Sequence, residues 1–185
     1  MSTAALAAGV AAQSVNTVSD VESYAVYAAL IPHEWPVTVA KATRIILRQE
    51  TVANWGCVPK GRPLQDAWKP VVDDFVLQNA RPRLLLAGFD LGVQSLLVPS
   101  VDIDDAFKNV EVGDWRLFYA RYADSGGFIE VSAVGFDATK THALVYIAHH
   151  CGGLCGGGTH HFVEKKDGQW VPANVKDLEN CVWVS

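Results

Sequence analysis

The spacing of apolar residues changes along the chain, from helical intervals in the first two thirds to alternation in the last third. A capping box at residues 19–22, followed by apolar residues at helical spacing, predicts a helix that ends before Pro32. Pro70 suits the first turn of a second helix, which should stop before Pro82. The predicted helices cover about residues 20–30, 70–81, 102–107, with Asp102 as the cap, and 115–122.

Strands are predicted where β-branched residues are dense or where apolar and polar residues alternate. Asp167-Gly168 lies between two alternating segments and is a strong hairpin signal. Residues 137–141 predict another turn, and residues 56–63, with their glycines and prolines, predict a loop. The predicted strands cover residues 37–52, 84–86, 95–98, 128–136, 142–150, 159–166, 169–171 and 182–184.

These elements predict one α+β domain over residues 19–185, in which a C-terminal antiparallel β-meander packs against N-terminal helices. Residues 1–18 are small and apolar, and we interpret them either as a signal-like segment or as a flexible tail. A complete signal has a basic residue before its apolar run, and the first basic residue here is Lys41. Met1 is therefore either the true start or a position inside a longer signal peptide.

Composition narrows the class of protein. Apolar residues make up 50% of the chain and charged residues 19%, which indicates a globular domain with a substantial core. The net charge is −5 and the basic residues are scattered, so we expect no nucleic-acid partner. No apolar run reaches the roughly 18 to 20 residues of a membrane-spanning helix. The expected partner is an unidentified ligand or protein.

The chain has four cysteines, an even number that favours an oxidising compartment. They allow 3 pairings. The preferred pairing joins Cys151 with Cys155, closing a short loop, and Cys57 with Cys181, tying the middle of the chain to its end. Together with the signal-like start, this predicts a periplasmic or secreted protein.

The stretch His-His-Cys-Gly-Gly-Leu-Cys-Gly-Gly-Gly-Thr-His-His, residues 149–161, is the densest group of chemically versatile residues. We interpret it as two strand ends joined by a disulfide-tied loop at residues 151–158, with histidines paired across the strands and glycines at positive φ. Phosphate-binding and dinucleotide-binding loops are excluded because no helix follows. A reactive thiolate is favoured less than a metal site. The alternative is a zinc site, whose ligands would come from Cys151, Cys155, His149, His160 and His161.

Few residues outside this stretch are candidates for a functional site. His33 and Glu34 form a possible acid and base pair beside Trp35, but the favoured interpretation is a polar loop after a helix. Trp35 and Trp55 lie in predicted loops and are the best tryptophans for an exposed binding surface. The Asp-Ile-Asp-Asp run at 102–105 lacks the glycine and glutamate of a calcium loop.

The C-terminal third resembles a group of exported bacterial proteins with no known activity. The shared pattern is Val-Gly-Phe, Ala-Leu-Val-Tyr, Cys-Gly-x-Leu-Cys-Gly, Leu-Glu-Lys, Gly-x-Trp and a final Trp-x-Ser. Val163 replaces the usual leucine, and the histidines are not part of the pattern. The resemblance implies export and a cysteine-bearing hairpin. The matching positions are 134–136, 143–146, 151–156, 163–165, 168–170 and 183–185.

The sequence contains no complete catalytic constellation, and it names no reaction. We therefore predict a non-catalytic, extracytoplasmic binding or structural module that needs no cofactor. Two alternatives remain open: a protein that binds zinc or another transition metal, and a small-molecule enzyme with a pocket between helices and sheet.

Overall fold

The computed structural model describes residues 16–34, 42–53, 60–61, 68–88, 90–108, 115–175, 178–179 and 182–185. Within these ranges the helices are α1 (Val21–Glu34), α2 (Lys69–Gln78), α3 (Ser100–Asp105) and α4 (Trp115–Arg121). The strands are β1 (Arg44–Arg48), β2 (Lys60–Gly61), β3 (Gln94–Val98), β4 (Ser125–Val131), β5 (Gly135–Phe136), β6 (His142–Gly152), β7 (Cys155–Lys166), β8 (Gln169–Pro172), β9 (Leu178–Glu179) and β10 (Trp183–Val184).

One mixed sheet of eight strands organises the fold, in the order β10-β7-β6-β4-β1-β3. Strand β5 also pairs with β6, and β8 also pairs with β7. Strands β4 to β8 are antiparallel neighbours, as predicted, but β1 pairs parallel with both β3 and β4. The α+β class is confirmed. The sheet is mixed rather than an antiparallel meander alone, because helical connections place β3 and β4 beside β1 in the same direction.

The predicted strand over residues 128–136 is interrupted at Ser132, and buried polar groups repair the break. Tyr146 N–H donates to the Ser132 hydroxyl at 2.8 Å instead of to a backbone carbonyl. The Asn79 side chain then accepts from Ala133 N–H at 2.8 Å and donates to Ala133 O at 2.9 Å. These bonds satisfy backbone groups that a β-bulge leaves unpaired, so α2 is fixed to the sheet at this point.

Hydrophobic clusters cover both faces of the sheet. Helix α1 packs on one face, with Tyr27 and Ile31 against Val145 and Ile147 of β6. The opposite face carries two clusters, one around α2 and one around α3 and α4. Alternate residues of β6 therefore face two different cores, which is why residues 143–148 form an unbroken apolar run.

Several boundaries differ from the prediction. Pro32 lies inside α1, and the helix continues past it to Glu34. A proline in the last turn removes only one hydrogen bond of the helix, and the buried side of this turn stays packed. Pro99, not Asp102, precedes α3, and Ser100 N–H and its hydroxyl donate to Glu50. Strand β1 ends at Arg48, since residues 50 and 52 form only isolated bridges. The predicted second and fourth helices and the Asp167-Gly168 hairpin, with positive φ at both residues, are confirmed.

Part of the predicted terminal segment contacts the fold. Val18 is buried, and its N–H donates to Leu84 O at 2.9 Å. Residues 1–15, with the signal-like pattern, and Trp35, Trp55, Cys57 and Cys181 lie outside the described residues. No helix within the described ranges has the length and apolar character to cross a membrane.

Candidate functional site

The hairpin tip, residues 149–158, joins β6 to β7 through a turn at Gly153 and Leu154. The predicted Cys151–Cys155 disulfide is present, and the strands continue as far as Gly152 and Cys155, so the predicted loop over 151–158 is too long. This short turn sets the register. It places His149 opposite Gly157 and His150 opposite Gly156, while His160 and His161 lie opposite Tyr146 and Val145. The predicted cross-strand histidine pairs are therefore wrong.

The glycines of β7 do not serve the predicted purpose, because none of Gly156, Gly157 and Gly158 has a positive φ. They leave room for the C-terminal strand instead. A Cβ atom at Gly158 would overlap the Tyr146 hydroxyl and the Trp183 indole, and one at Gly156 would lie 3.0 Å from Ser185 Oγ. Trp183 thus lies against the glycine backbone, and its Nε1–H donates to Tyr146 Oη at 2.6 Å.

This packing forms one wall of an open cleft of about 640 Å³, here named the aromatic cleft. The opposite wall comes from Phe107, just after α3, and from Trp115 at the start of α4, and Gly152 and Gly153 of the hairpin tip border the cleft. Tyr119 of α4 donates to Cys151 O at 2.9 Å, which holds the tip against the helix. The side chains that define the cleft are Phe107, Trp115, Phe128, His150, Trp183 and Ser185.

The rings of the aromatic cleft form a continuous row. Trp115 and Phe128 are nearly parallel, with centroids 6.0 Å apart, and Phe128 stacks on His150 at 4.7 Å and 15°. His150 in turn lies 5.1 Å from the Trp183 ring. Trp115 and Trp183 are only partly buried, whereas Trp68 and Trp170 belong to the core. Partly exposed rings in a cleft provide flat apolar contact area for a ligand.

A chain of charged groups lies behind His150. Its Nε2 is 3.1 Å from Glu130 Oε2, and Arg48 Nε lies 2.8 Å from Glu130 Oε1, although this N–H is not directed at the oxygen. The other end of the guanidinium donates to Asp104 at 2.8 Å. The Glu130 side chain is only 13% exposed, so this contact fixes the imidazole in one orientation.

Two further histidines, His149 and His161, lie on the other face of the sheet, on the side of α1. Burial lowers the pKa of His149, against the opposing effect of its 2.8 Å bond to Gly126 O. Burial also lowers the pKa of His161, whose Nε2 lies 3.8 Å from Glu34 Oε1, beyond hydrogen-bond distance. Glu34 and His149 border a shallow depression of about 260 Å³. Glu34 thus lies beside the same depression as His149, while His33 is exposed at the end of α1.

The residues of the predicted zinc site do not come together. The sulfur atoms of Cys151 and Cys155 are bonded to each other, so neither is a thiolate ligand in this form. His160 lies on the opposite face from His149 and His161, against the rings of Phe75 and Tyr146. Within the part of the chain that the structure describes, no three His, Cys, Asp or Glu side chains form a metal-binding group. Zinc binding stays a prediction.

The aromatic cleft was not found from the sequence. The sequence pattern places Phe107 and Trp115 only in predicted helices, and Phe128 and His150 only in predicted strands. The available signal was the high density of aromatic residues between 107 and 128, but only the packing of β10 against the glycines shows that one side of this cluster stays open.

No family model matches this chain, and neither a curated protein nor a solved structure matches it.

Proposed function

We propose that this protein is an extracytoplasmic binding module whose ligand is a small, flat, largely apolar molecule held in the aromatic cleft. The observation that carries the proposal is the row of rings from Trp115 to Trp183, partly exposed at Trp115, His150 and Trp183, around a space of about 640 Å³. Small-molecule sites typically enclose about 300 to 1,000 Å³ and combine apolar walls with a few polar groups.

The cleft combines these properties in a defined arrangement. Its apolar walls are aromatic rings with little conformational freedom, so ordering them around a ligand costs little entropy. Its polar groups are few: the imidazole of His150, the hydroxyl of Ser185 and the backbone of Gly152 and Gly153. The disulfide and the Tyr119 bond restrain the tip, which supports a site formed before the ligand arrives.

The extracytoplasmic location is supported by the Cys151–Cys155 disulfide, since such bonds persist in oxidising compartments. The pairing of Cys57 with Cys181 and the export implied by the resemblance stay predictions. A count of free thiols before and after reduction, with metal analysis of protein purified without chelator, tests the zinc alternative. Four free thiols with bound zinc would support that alternative. A protein with no free thiols and no bound zinc would contradict it.

The test of cleft binding is an NMR titration of the whole chain with toluene, phenol and indole. We expect the side-chain indole signals of Trp115 and Trp183 to shift, with Kd values in the millimolar range or tighter for such small rings. The signals of Trp68 and Trp170, which are buried away from the cleft, are internal controls and should not move.

A variant pair assigns the binding to the cleft. Trp115→Leu removes one wall and should weaken binding at least about fivefold, while Leu117→Ala changes a 52% exposed residue of the same helix outside the cleft. Equal binding by both variants, or no shift in the signals of Trp115 and Trp183 with any of the three rings, would contradict the proposal.

A second candidate function is catalysis in the same cleft, favoured by one observation. His150 contacts Glu130 as a general base contacts the carboxylate that orients it. Hydrolysis of an aryl ester that stops in His150→Phe and persists in His33→Gln would favour an enzyme over a binding module.

A further inference from the structure

His150 is a polar group of the aromatic cleft whose two ring nitrogens have different surroundings. Nε2 meets the Glu130 carboxylate at 3.1 Å. Nδ1 has no hydrogen-bond partner among the described residues. The side chain remains 27% exposed, and it lines the cleft between Phe128 and Trp183.

The contact with Glu130 determines which nitrogen carries the hydrogen. An ionised carboxylate can only accept, so Nε2 is the donor in this contact. In the neutral ring, Nδ1 is then an acceptor with a lone pair in the ring plane. Arg48 pairs with the same carboxylate and Asp104 with Arg48, so the charges behind His150 hold Glu130 in the position that fixes this tautomer.

From this arrangement we infer that the cleft selects flat ring compounds that carry an N–H or O–H donor in the plane of the ring. The inference rests on the proposed function and names the ligand class for the same cleft. A donor at the ring edge meets Nδ1 while the ring face contacts the neighbouring aromatic side chains. Phenolic, indolic and other N–H heteroaromatic compounds have this combination, and purely hydrocarbon rings lack it.

His150 is thus a specificity-determining residue and not only a packing element. A purely structural role, in which the ring fills space beside Phe128, gives a different result. It predicts that ligands of equal shape bind in the order of their apolar character, so that toluene binds more tightly than phenol. An available acceptor reverses this order, because the phenol hydroxyl gains a partner in the cleft that replaces water.

The experiment compares phenol with toluene, which have nearly the same shape, at about pH 8, where histidine rings are in general neutral. In the unmodified protein we expect phenol to bind at least about fivefold more tightly than toluene. In His150→Phe, which keeps an aromatic ring at this position, toluene should bind more tightly, because the phenol hydroxyl is then desolvated without a partner. Indole against N-methylindole repeats the comparison for an N–H donor.

A second measurement covers the case in which the variant does not fold. In the unmodified protein, the ¹⁵N signal of His150 Nδ1 should move on addition of phenol and stay in place with toluene. Tighter binding of toluene than of phenol by the unmodified protein, or an unchanged preference in folded His150→Phe, would overturn the inference while cleft binding stands. Failure of every ring to bind would overturn the proposed function itself.

Discussion

The two ends of the β6–β7 hairpin are made of the same paired strands but have opposite roles. At the base, residues 143–148 of β6 are buried on both faces, between α1 on one side and α2 on the other. At the tip, the paired residues are glycines, histidines and cysteines, and Leu154 is 94% exposed. A single pair of strands thus provides both the centre of the core and one border of the aromatic cleft.

The difference between the two ends shows how a rigid base can support an open site. Close packing at the base holds both strands in the register that the short turn sets, and register and twist together determine where the tip points. At the tip, small residues leave space that Trp183 only partly fills. The disulfide and the bond from Tyr119 replace the packing that the glycines cannot supply.

The largest expected effect comes from removing packing at the base. Leu144→Ala deletes a fully buried side chain of the cluster around α2, so the free energy of unfolding should fall by about 2 to 5 kcal/mol. Leu154→Ala makes the same chemical change at the tip and should alter it by less than about 0.5 kcal/mol. Urea unfolding of both variants measures the contrast. Similar losses in the two variants would show that the ends are equally packed.

A smaller effect is expected at the boundary between base and tip. Gly158→Ala places a methyl group against Tyr146 and Trp183, so the free energy of unfolding should fall by about 1 to 3 kcal/mol. Displacement of Trp183 should also weaken ring binding in the cleft. The control for stability is Gly153→Ala, where an added Cβ meets no atom within 4 Å. Denaturant unfolding compares the two variants, and the NMR titration compares Gly158→Ala with the unmodified protein. Unchanged stability in Gly158→Ala would refute the role given to the glycine.

The smallest effect concerns pH and the buried histidines His149 and His161. Burial lowers the pKa of both in the folded protein, so the unfolded chain binds protons first as the pH falls below the ordinary value of 6.5. Stability should therefore be complete above pH 6.5 and decline below it, by at most about 1.4 kcal/mol per pH unit for each ring.

Unfolding measured between about pH 7.5 and 5 tests this window. Carboxylates contribute at lower pH, such as Glu22, whose ordinary pKa is 4.5 and is lowered by its hydrogen bond from Lys165. We expect His161→Gln to flatten the decline and His33→Gln, at an exposed position, to leave it unchanged. A decline that is equally steep in His161→Gln would assign it to other groups.

Much of the local structure could be predicted because its causes are local. Pro70 and the apolar spacing after it specify α2, and Asp167-Gly168 specifies its turn through the φ angles that these residues accept. The Cys151–Cys155 bond follows from proximity in sequence. The parallel pairing of β1 with β3 and β4 has no such signature, because it depends on which distant strands share a core.

The aromatic cleft illustrates the same limit. Nothing near His150 in the sequence indicates Glu130, Phe128 or Trp183, and their meeting depends on the register of three strand pairs. The glycines of β7 were assigned to a loop because glycine permits unusual φ angles. Their other property, the lack of a side chain, is the one that the tertiary structure uses.

By itself, the sequence determined the α+β composition, the second and fourth helices, the C-terminal hairpins and the short disulfide, since each follows from interactions between residues close along the chain. Only the tertiary structure decided that the sheet is mixed, that the histidines occupy separate faces, and that one aromatic cluster remains open beside His150. These features arise from contacts between segments far apart in sequence, where shape and register, rather than residue type, determine which side chains meet.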